Sequence, residues 1–226
     1  MRYDNIRRAR FIDRPNRFIA HVELEGKTDV CHVKNTGRCR ELLRPGALVY
    51  VQENDSPARK TRFDLIAVDK GGLLINMDSQ APNRAFAEWA AAGNFWPGLT
   101  LLKPETTFGG SRFDFYLEKG ERRAFVEVKG VTLERDGLAL FPDAPTERGL
   151  KHAAELMRCV AAGYEAYIFF VIQMKGVRLF APNFETDPAF SARLRQAAAA
   201  GVRITARDCL VTPESMDIDR PVEVVL

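Results

Sequence analysis

The chain has 226 residues, 46% of them hydrophobic and 28% charged, with a formal net charge of +3 at pH 7. This composition is typical of a globular protein of one large or two modest domains, and it excludes a disordered or fibrous chain. No run reaches the roughly eighteen apolar residues of a membrane span, and the start of the chain lacks the apolar core of a signal peptide, so we expect a cytoplasmic protein without a membrane partner.

The first third of the chain reads as a series of short β-strands. Turn residues such as Pro, Gly and Asn separate segments of five to seven residues that carry β-branched and aromatic side chains. The predicted strands are residues 9–13, 18–24, 29–33, 47–52, 63–68 and 73–77. Short strands separated by such turn residues predict a small β-barrel, of which the OB architecture is one form.

The same part of the chain is rich in arginine. Between residues 7 and 17 only Asp13 opposes five arginines, among them Arg17. Arginines that neutralise phosphates give affinity for DNA with little sequence discrimination. The aromatic residues Phe11, Phe18 and Tyr50 could stack on unpaired bases, but we expect all three in the barrel core.

A tight turn at residues 35–38 offers a second polar feature. Asn35, Thr36, Gly37 and Arg38 combine backbone donors, a hydroxyl and a guanidinium, which suits a phosphate group. Residues of these types are equally common in plain turns, so the residues alone leave both interpretations open.

Beyond Pro82, an alanine-rich stretch predicts a helix over residues 84–92 that ends at Gly93. Two strands with a shared charge pattern follow, at residues 111–117 and 125–130. Because side chains alternate along a strand, Phe125, Glu127 and Lys129 share one face of the second strand. If residues 119–122 form a four-residue loop, the antiparallel register places Asp114 opposite Glu127, with the apolar positions of both strands on the other face.

Two like charges opposite each other destabilise a sheet, and we expect Glu127→Gln to relieve that repulsion. A divalent cation is the simplest reason for the pair. Mg²⁺ binds one or two carboxylates and is completed by water and phosphate oxygens, and Lys129 on the same face would hold a water or a phosphate. The alternative is a surface hairpin with solvated carboxylates and Lys129 as an ion-pair partner.

A helix follows over residues 147–162, with Thr146 as its N-cap and Gly163 at its end. An apolar stripe is expected at positions 150, 153, 154, 157 and 161, with Arg148, Lys151, His152 and Glu155 toward the other side. The apolar run at residues 167–172 predicts a buried parallel strand, so that strand, helix and strand form a crossover unit. Arg148 and Lys151 suit a phosphate-rich substrate, although either one taken alone is more often an ordinary solvated charge.

The remaining features are less specific. A further helix is expected over residues 187–200, followed by a strand at 202–205. The four cysteines, at positions 31, 39, 159 and 209, match no common zinc module, and we expect neither a structural metal nor a disulfide.

The run from Arg112 to Met157 resembles the sugar fermentation stimulation protein A family. The motifs that carry the resemblance are residues 111–115, Glu127-x-Lys129, residues 141–144 and 146–149, the turn at 35–38 and the pair Pro82-Asn83. The resemblance covers essentially the whole chain. It implies an α+β protein with two domains, an OB-fold-like DNA-binding barrel over residues 1–80 and a PD-(D/E)XK nuclease-like domain with a mixed sheet over residues 81–226.

The resemblance also implies functional residues. By position, the catalytic residues of the nuclease type fall on Asp114, Glu127 and Lys129, and the backbone carbonyl of Val128 joins the two carboxylates as a ligand of Mg²⁺ or its substitute Mn²⁺. DNA contacts are expected from the polar turn and from cations of both domains: Arg17, Asn35, Thr36, Arg38, Arg112, Arg148 and Lys151.

Two functions therefore stand as alternatives. One is a DNA-binding protein of low sequence specificity with a regulatory role in sugar (maltose) utilisation, in which the nuclease-like domain is a second DNA-binding surface. The other is an active metal-dependent DNA endonuclease. RNA or branched DNA as the ligand is a third possibility. The sequence identifies no protein partner and no oligomeric state.

Overall fold

The structure, a computed structural model, describes residues 1–35, 37–54 and 59–226. Strands β1 to β6 form the N-terminal part of the fold. Their bounds are β1 Ile6–Asn16, β2 Ile19–Leu24, β3 Lys27–Val33, β4 Leu48–Glu53, β5 Phe63–Lys70 and β6 Leu73–Asn76.

These strands form the predicted OB barrel. The strand order is β3-β2-β1-β4-β5-β6, and β3 also pairs in parallel with β5, which closes five strands into a barrel and leaves β6 outside on β5. Alternate residues such as Val49, Val51 and Leu65 fill the interior. The predicted barrel is therefore confirmed.

The rest of the chain forms a mixed sheet with helices. The elements are α1 Ala81–Ala91, β7 Leu101–Phe108, β8 Ser111–Lys119, β9 Arg122–Val131, β10 Leu133–Arg135, β11 Leu138–Phe141, α2 Glu147–Ala161, β12 Glu165–Ile172, β13 Leu179–Pro182, α3 Pro188–Ala199, β14 Arg203–Thr212 and β15 Ser215–Val224. The sheet has nine strands in the order β10-β11-β13-β15-β14-β12-β9-β8-β7. Strands β9, β12 and β14 are neighbours in parallel, as the crossover prediction requires.

Two apolar clusters cover the faces of this sheet. One contains Phe86 of α1 together with Phe115, Val126 and Phe169. The other contains the buried residues of α2 and α3 and is continuous with the interior of the barrel. Strands β8 and β9, which carry Asp114, Glu127 and Lys129, thus lie between α1 on one face and α2 on the other.

Polar contacts also join the barrel to the sheet. The Gln173 carboxamide, which is fully buried, donates hydrogen bonds to the Asn76 and Asp78 carbonyl oxygens at 3.0 and 3.1 Å. The Asn76 N–H donates to the Gln173 carbonyl oxygen at 2.9 Å. The division of the chain at residue 80 stays a prediction, since residues 1–3 also contact the mixed sheet through the Arg2–Ser215 bridge.

Two predictions of local structure need correction. Helix α1 begins at Ala81 rather than at residue 84, because Pro82 occupies its first turn, where its missing N–H costs nothing. The β8–β9 turn has two residues, Gly120 and Glu121, rather than four, since Lys119 pairs with Arg122. The loop is still even, so the predicted Glu118–Arg123 pairing is confirmed.

None of the helices among the described residues has the length and apolar character that crossing a bilayer takes.

Candidate active site and nucleic-acid clefts

The two acids lie where strands β8 and β9 separate. The ladder runs from the Lys119–Arg122 pair to the Phe115–Val126 pair and stops one position before Asp114. Instead of facing Glu127 as a ladder partner, Asp114 uses its Oδ2 to accept a hydrogen bond from the Val128 N–H at 2.8 Å. A side-chain oxygen thus replaces a strand carbonyl at this point.

This interruption changes the faces of β8. Phe115 packs on Phe86 of α1 with ring centroids 5.0 Å apart, whereas Phe113 packs on Phe125 at 5.5 Å and on His152 of α2 at 5.8 Å. The prediction that Phe113 shares the face of Phe115 is therefore wrong, because the strand loses its regular alternation near Asp114.

Asp114 is held from both sides. Its Oδ1 accepts a hydrogen bond from Asn83 Nδ2 of α1 at 2.9 Å, opposite the Val128 contact. Burial raises the pKa of the Asp114 carboxyl, and the negative charge of Glu127 raises it further. The two hydrogen bonds lower this pKa, but the net shift is upward. Through the Val128 contact, the Asp114 carboxylate lies beside the residue that follows Glu127 in β9.

Glu127 is almost fully buried, at 2% exposure. Its Oε1 accepts a hydrogen bond from Lys129 Nζ at 2.6 Å and contacts His152 Nδ1. Burial alone would raise the pKa of Glu127, but the His152 hydrogen bond and the Lys129 charge outweigh it and hold the pKa below its usual value. Glu127 is thus an anion inside the fold, and among the described residues its Oε2 has no hydrogen-bond partner.

His152 is buried on the inner face of α2, at 5% exposure, and this corrects the expected stripe. The buried positions of the helix are Gly149, His152, Ala153, Leu156 and Cys159. These positions recur at intervals of three and four residues, so a count of helical spacing from Gly149 could have placed the histidine inward.

The donor set fits a divalent cation. Two carboxylates and the Val128 carbonyl are hard oxygen ligands, which divalent cations such as Mg²⁺ prefer. Among the described residues, the buried Glu127 Oε2 has no hydrogen-bond partner, and a cation bound there would neutralise the carboxylate charge. Across the described ranges, no three Asp, Glu, His or Cys side chains gather as a self-sufficient metal centre. A cation here would therefore depend on water or phosphate oxygens to complete its shell.

Three of the predicted DNA contacts lie together beside this site. A cleft of about 550 Å³, which we call the helix cleft, is lined by Gly110, Ser111, Arg112, Glu147, Arg148, Lys151 and His152. Arg148 and Lys151 are exposed, and Arg112 pairs with Glu105 at 2.7 Å. The Ser111 hydroxyl is buried without a hydrogen-bond partner among the described residues.

Two further predicted contacts lie in a second cleft, between barrel and mixed sheet. This interdomain cleft, of about 920 Å³, is lined by Arg14, Arg17, Gly37, Arg38, Arg40 and the segment 141–146, among others. Thr146 lines the interdomain cleft and Glu147 lines the helix cleft, so the two meet at the start of α2.

The polar turn is shaped by its own contacts. Asn35 Oδ1 accepts a hydrogen bond from the Gly37 N–H at 2.8 Å, and the Arg14 guanidinium donates to the carbonyl oxygens of Arg17, Asn35, Gly37 and Arg38. A Cβ at Gly37 would overlap the Asp143 carboxylate. Asn35 and Arg14 thus build the turn and leave Arg38 exposed, whereas Thr36 lies outside the described residues.

The sequence interpretation missed several residues that the structure brings to the site. His152 was expected on the opposite face of α2, and Asn83 was noted only as part of a motif. No sequence pattern indicated Gln173, because its role depends on residues 76–78, the segment that leaves the barrel and packs against it.

The comparisons with known proteins cover both domains. Residues 80–215 match the family model described as "Sugar fermentation stimulation protein RE domain", and residues 12–77 match the "SfsA N-terminal OB domain". Sugar fermentation stimulation protein homologues from Desulfitobacterium hafniense and Ruminiclostridium cellulolyticum are 60% and 56% identical to the chain. The first alignment covers 96% of this chain and 95% of the relative, and the second covers 100% of both.

A solved structure shares the whole architecture. Pyrococcus furiosus SfsA, determined in complex with Ca²⁺, superposes with a TM-score of 0.90 at 27% sequence identity over 100% of this chain and 98% of that one. With both family models and full-length relatives in agreement, the chain belongs to the sugar fermentation stimulation protein family.

Proposed function

We propose that this protein binds DNA with little sequence preference and hydrolyses phosphodiester bonds at a divalent-metal site formed by Asp114, Glu127 and the Val128 carbonyl. The observation that carries the proposal is the buried Glu127 carboxylate, which has one oxygen held by Lys129 and His152 and the other without a hydrogen-bond partner among the described residues. A buried carboxylate is costly unless a cation or donors compensate it.

Each residue has a defined task in this proposal. Asp114 and Glu127 would hold Mg²⁺, with Mn²⁺ as a substitute, and Asn83 orients the Asp114 carboxylate. The metal supplies a water of lowered pKa and positive charge beside the scissile phosphate. Lys129 faces the same space and would donate to the attacking water or to a phosphate oxygen.

The helix cleft supplies phosphate contacts. Arg148 and Lys151 are exposed cations there. These groups recognise the backbone rather than base edges, which is why the proposal gives little sequence preference. The Ca²⁺ of the Pyrococcus furiosus relative supports a hard cation in this fold, since Ca²⁺ and Mg²⁺ both prefer oxygen ligands.

A regulatory role in sugar (maltose) utilisation is the second candidate. The cationic residues of two clefts favour it, because they would bind DNA whether or not a bond is cut. For either function we propose a cytoplasmic location.

The test is a supercoiled plasmid incubated with the protein and Mg²⁺ or Mn²⁺, with Asp114→Ala as the variant. Nicking by the parent that is abolished in the variant and by chelation supports the nuclease. Nicking that survives Asp114→Ala assigns the activity to a contaminant. DNA binding with no cleavage under any metal would overturn the nuclease and leave the regulatory candidate.

A further inference from the structure

Phe18 is an exposed aromatic ring at the tip of the β1–β2 hairpin. It is 50% exposed, whereas Phe11 is buried and Tyr50 is half-buried within the protein. The expectation that all three fill the barrel core is therefore wrong for Phe18, and also for Tyr50, which packs against the cluster that contains Phe86.

The backbone around this ring is fixed. Asn16 Oδ1 accepts hydrogen bonds from the Phe18 and Ile19 N–H groups at 2.9 and 3.1 Å, and the Phe18 carbonyl oxygen accepts one from Val33 at 2.7 Å. A preorganised aromatic platform loses little freedom when another ring stacks on it. The Arg17 guanidinium lies 5.9 Å from the Phe18 centroid, so a cation accompanies the platform.

The interdomain cleft adjoins this tip, since Arg17 lines it. Arg17, Arg38 and Arg40 are exposed, and no described residue forms a salt bridge with any of them.

The two acids of the cleft are engaged by the protein itself. Asp13 contacts His21 Nδ1 at 2.7 Å, and the Asp143 carboxylate lies against Gly37, where a Cβ would overlap it. The cleft thus carries four arginines against two carboxylates.

We propose that the interdomain cleft binds single-stranded DNA, with Phe18 stacking on an unpaired base and the arginines following the backbone toward the helix cleft. The inference rests on the proposed function and specifies its substrate as DNA with an unpaired strand. Stacking requires an exposed base face, which a blunt duplex does not offer along its length. Because Thr146 lines one cleft and the next residue, Glu147, lines the other, a strand bound in the interdomain cleft would leave it beside the helix cleft.

The test is fluorescence anisotropy at a single salt concentration, with a labelled single strand and the blunt duplex of the same sequence. Phe18→Ala should weaken single-strand binding by about five- to one-hundredfold and leave duplex binding unchanged. Phe18→Trp should retain single-strand binding, because it keeps an aromatic face. Val30→Ala is the matched control, since Val30 is an apolar side chain of the same barrel that is 44% exposed.

The outcomes separate this inference from the proposed function. A parent that binds and nicks duplex but does not bind the single strand overturns the inference alone. Equal losses for both ligands in Phe18→Ala, or no loss for either, also overturn it. A parent that binds neither ligand overturns the DNA-binding function together with the inference.

Discussion

At the scale of single residues, Asp114 and Glu127 differ although both are acids of one site. Glu127 has a lowered pKa because His152 and Lys129 outweigh its burial, whereas Asp114 has a raised pKa because burial and the Glu127 charge outweigh its hydrogen bonds. The repulsion expected from the sequence therefore falls on Asp114, and the sequence-based expectation for Glu127→Gln needs to be reversed.

We predict that Glu127→Gln lowers the free energy of unfolding by about 1–3 kcal/mol in the absence of divalent ions, because Lys129 and His152 lose the buried carboxylate that they contact. Asp114→Asn should cost less, since the amide oxygen can keep the Val128 N–H bond, the Asn83 carboxamide can turn its oxygen toward the new NH2 group, and the repulsion is removed. Urea denaturation of both variants with chelator measures this. A larger loss for Asp114→Asn than for Glu127→Gln would contradict it.

His152 is expected to position Glu127 for a cation. His152→Ala should weaken Ca²⁺ binding by about ten- to one-hundredfold, as loss of a group that orients a ligand does, and His152→Gln should restore part of it by providing a donor. Isothermal titration calorimetry measures the affinity. Arg158→Ala, an exposed change on the same helix, is the control. Unchanged affinity in His152→Ala would show that the histidine has no such role.

At the scale of elements, the sequence predicted what periodicity and turn residues specify. Apolar alternation predicts the barrel strands and the β8–β9 hairpin register. Helix caps, with glycine or proline at the ends of elements, predict the three helices of the described residues. Strand β7 was missed because its sequence contains Pro104 and mostly exposed side chains, as an edge strand allows. Strands β10, β11 and β13 have only three or four residues, too few to show alternation, and the charges of β15 hide its pattern.

The candidate site was predicted only in part for a related reason. Asp114, Glu127 and Lys129 lie on one hairpin, so their proximity follows from local register. Asn83, His152 and Gln173 reach the hairpin from elements distant in the chain, and no local pattern specifies those contacts.

Strand β9 ends next to the site at a position where only glycine fits. A Cβ at Gly130 would overlap Gln173 Oε1 and stand 2.7 Å from Pro82 Cγ. We predict that Gly130→Ala lowers the free energy of unfolding by about 1–3 kcal/mol, because the buried neighbours must shift. Gly110→Ala is the matched control, since its nearest neighbours are the Lys151 Cε and Nζ atoms at 4.0 Å. Thermal denaturation in which the two variants melt alike would contradict this.

At the scale of the whole molecule, an ion pair joins the barrel to the mixed sheet. Lys70 Nζ of β5 contacts the Glu134 carboxylate of β10 at 2.6 Å and its carbonyl oxygen at 2.8 Å. Burial alone would raise the pKa of Glu134, but the hydrogen bonds from Lys70 and from the Gly137 N–H hold it below its usual value.

This lowered pKa sets the sign of a pH dependence. Stability from the pair is present above the unfolded-state pKa of about 4.3 and is lost as the pH falls through the lower folded-state pKa. Lys70→Met should therefore cost about 1 kcal/mol at neutral pH, and the difference from the parent should shrink at acid pH. Urea denaturation across that range measures it, with Lys27→Met, an exposed change in β3, as the control. A difference that is constant with pH would contradict the assignment.

Both ends of the barrel are fastened to the mixed sheet. The Met1 ammonium donates to the Met216 carbonyl oxygen at 3.0 Å, and Gln173 binds the segment that leaves the barrel. A polypeptide severed between Asn76 and Ala81 should consequently stay assembled, and its two fragments should co-elute in size-exclusion chromatography until denaturant separates them. The tether between the domains is then dispensable for holding the barrel in place beside the acidic centre, because the packed contacts between the two domains hold it there.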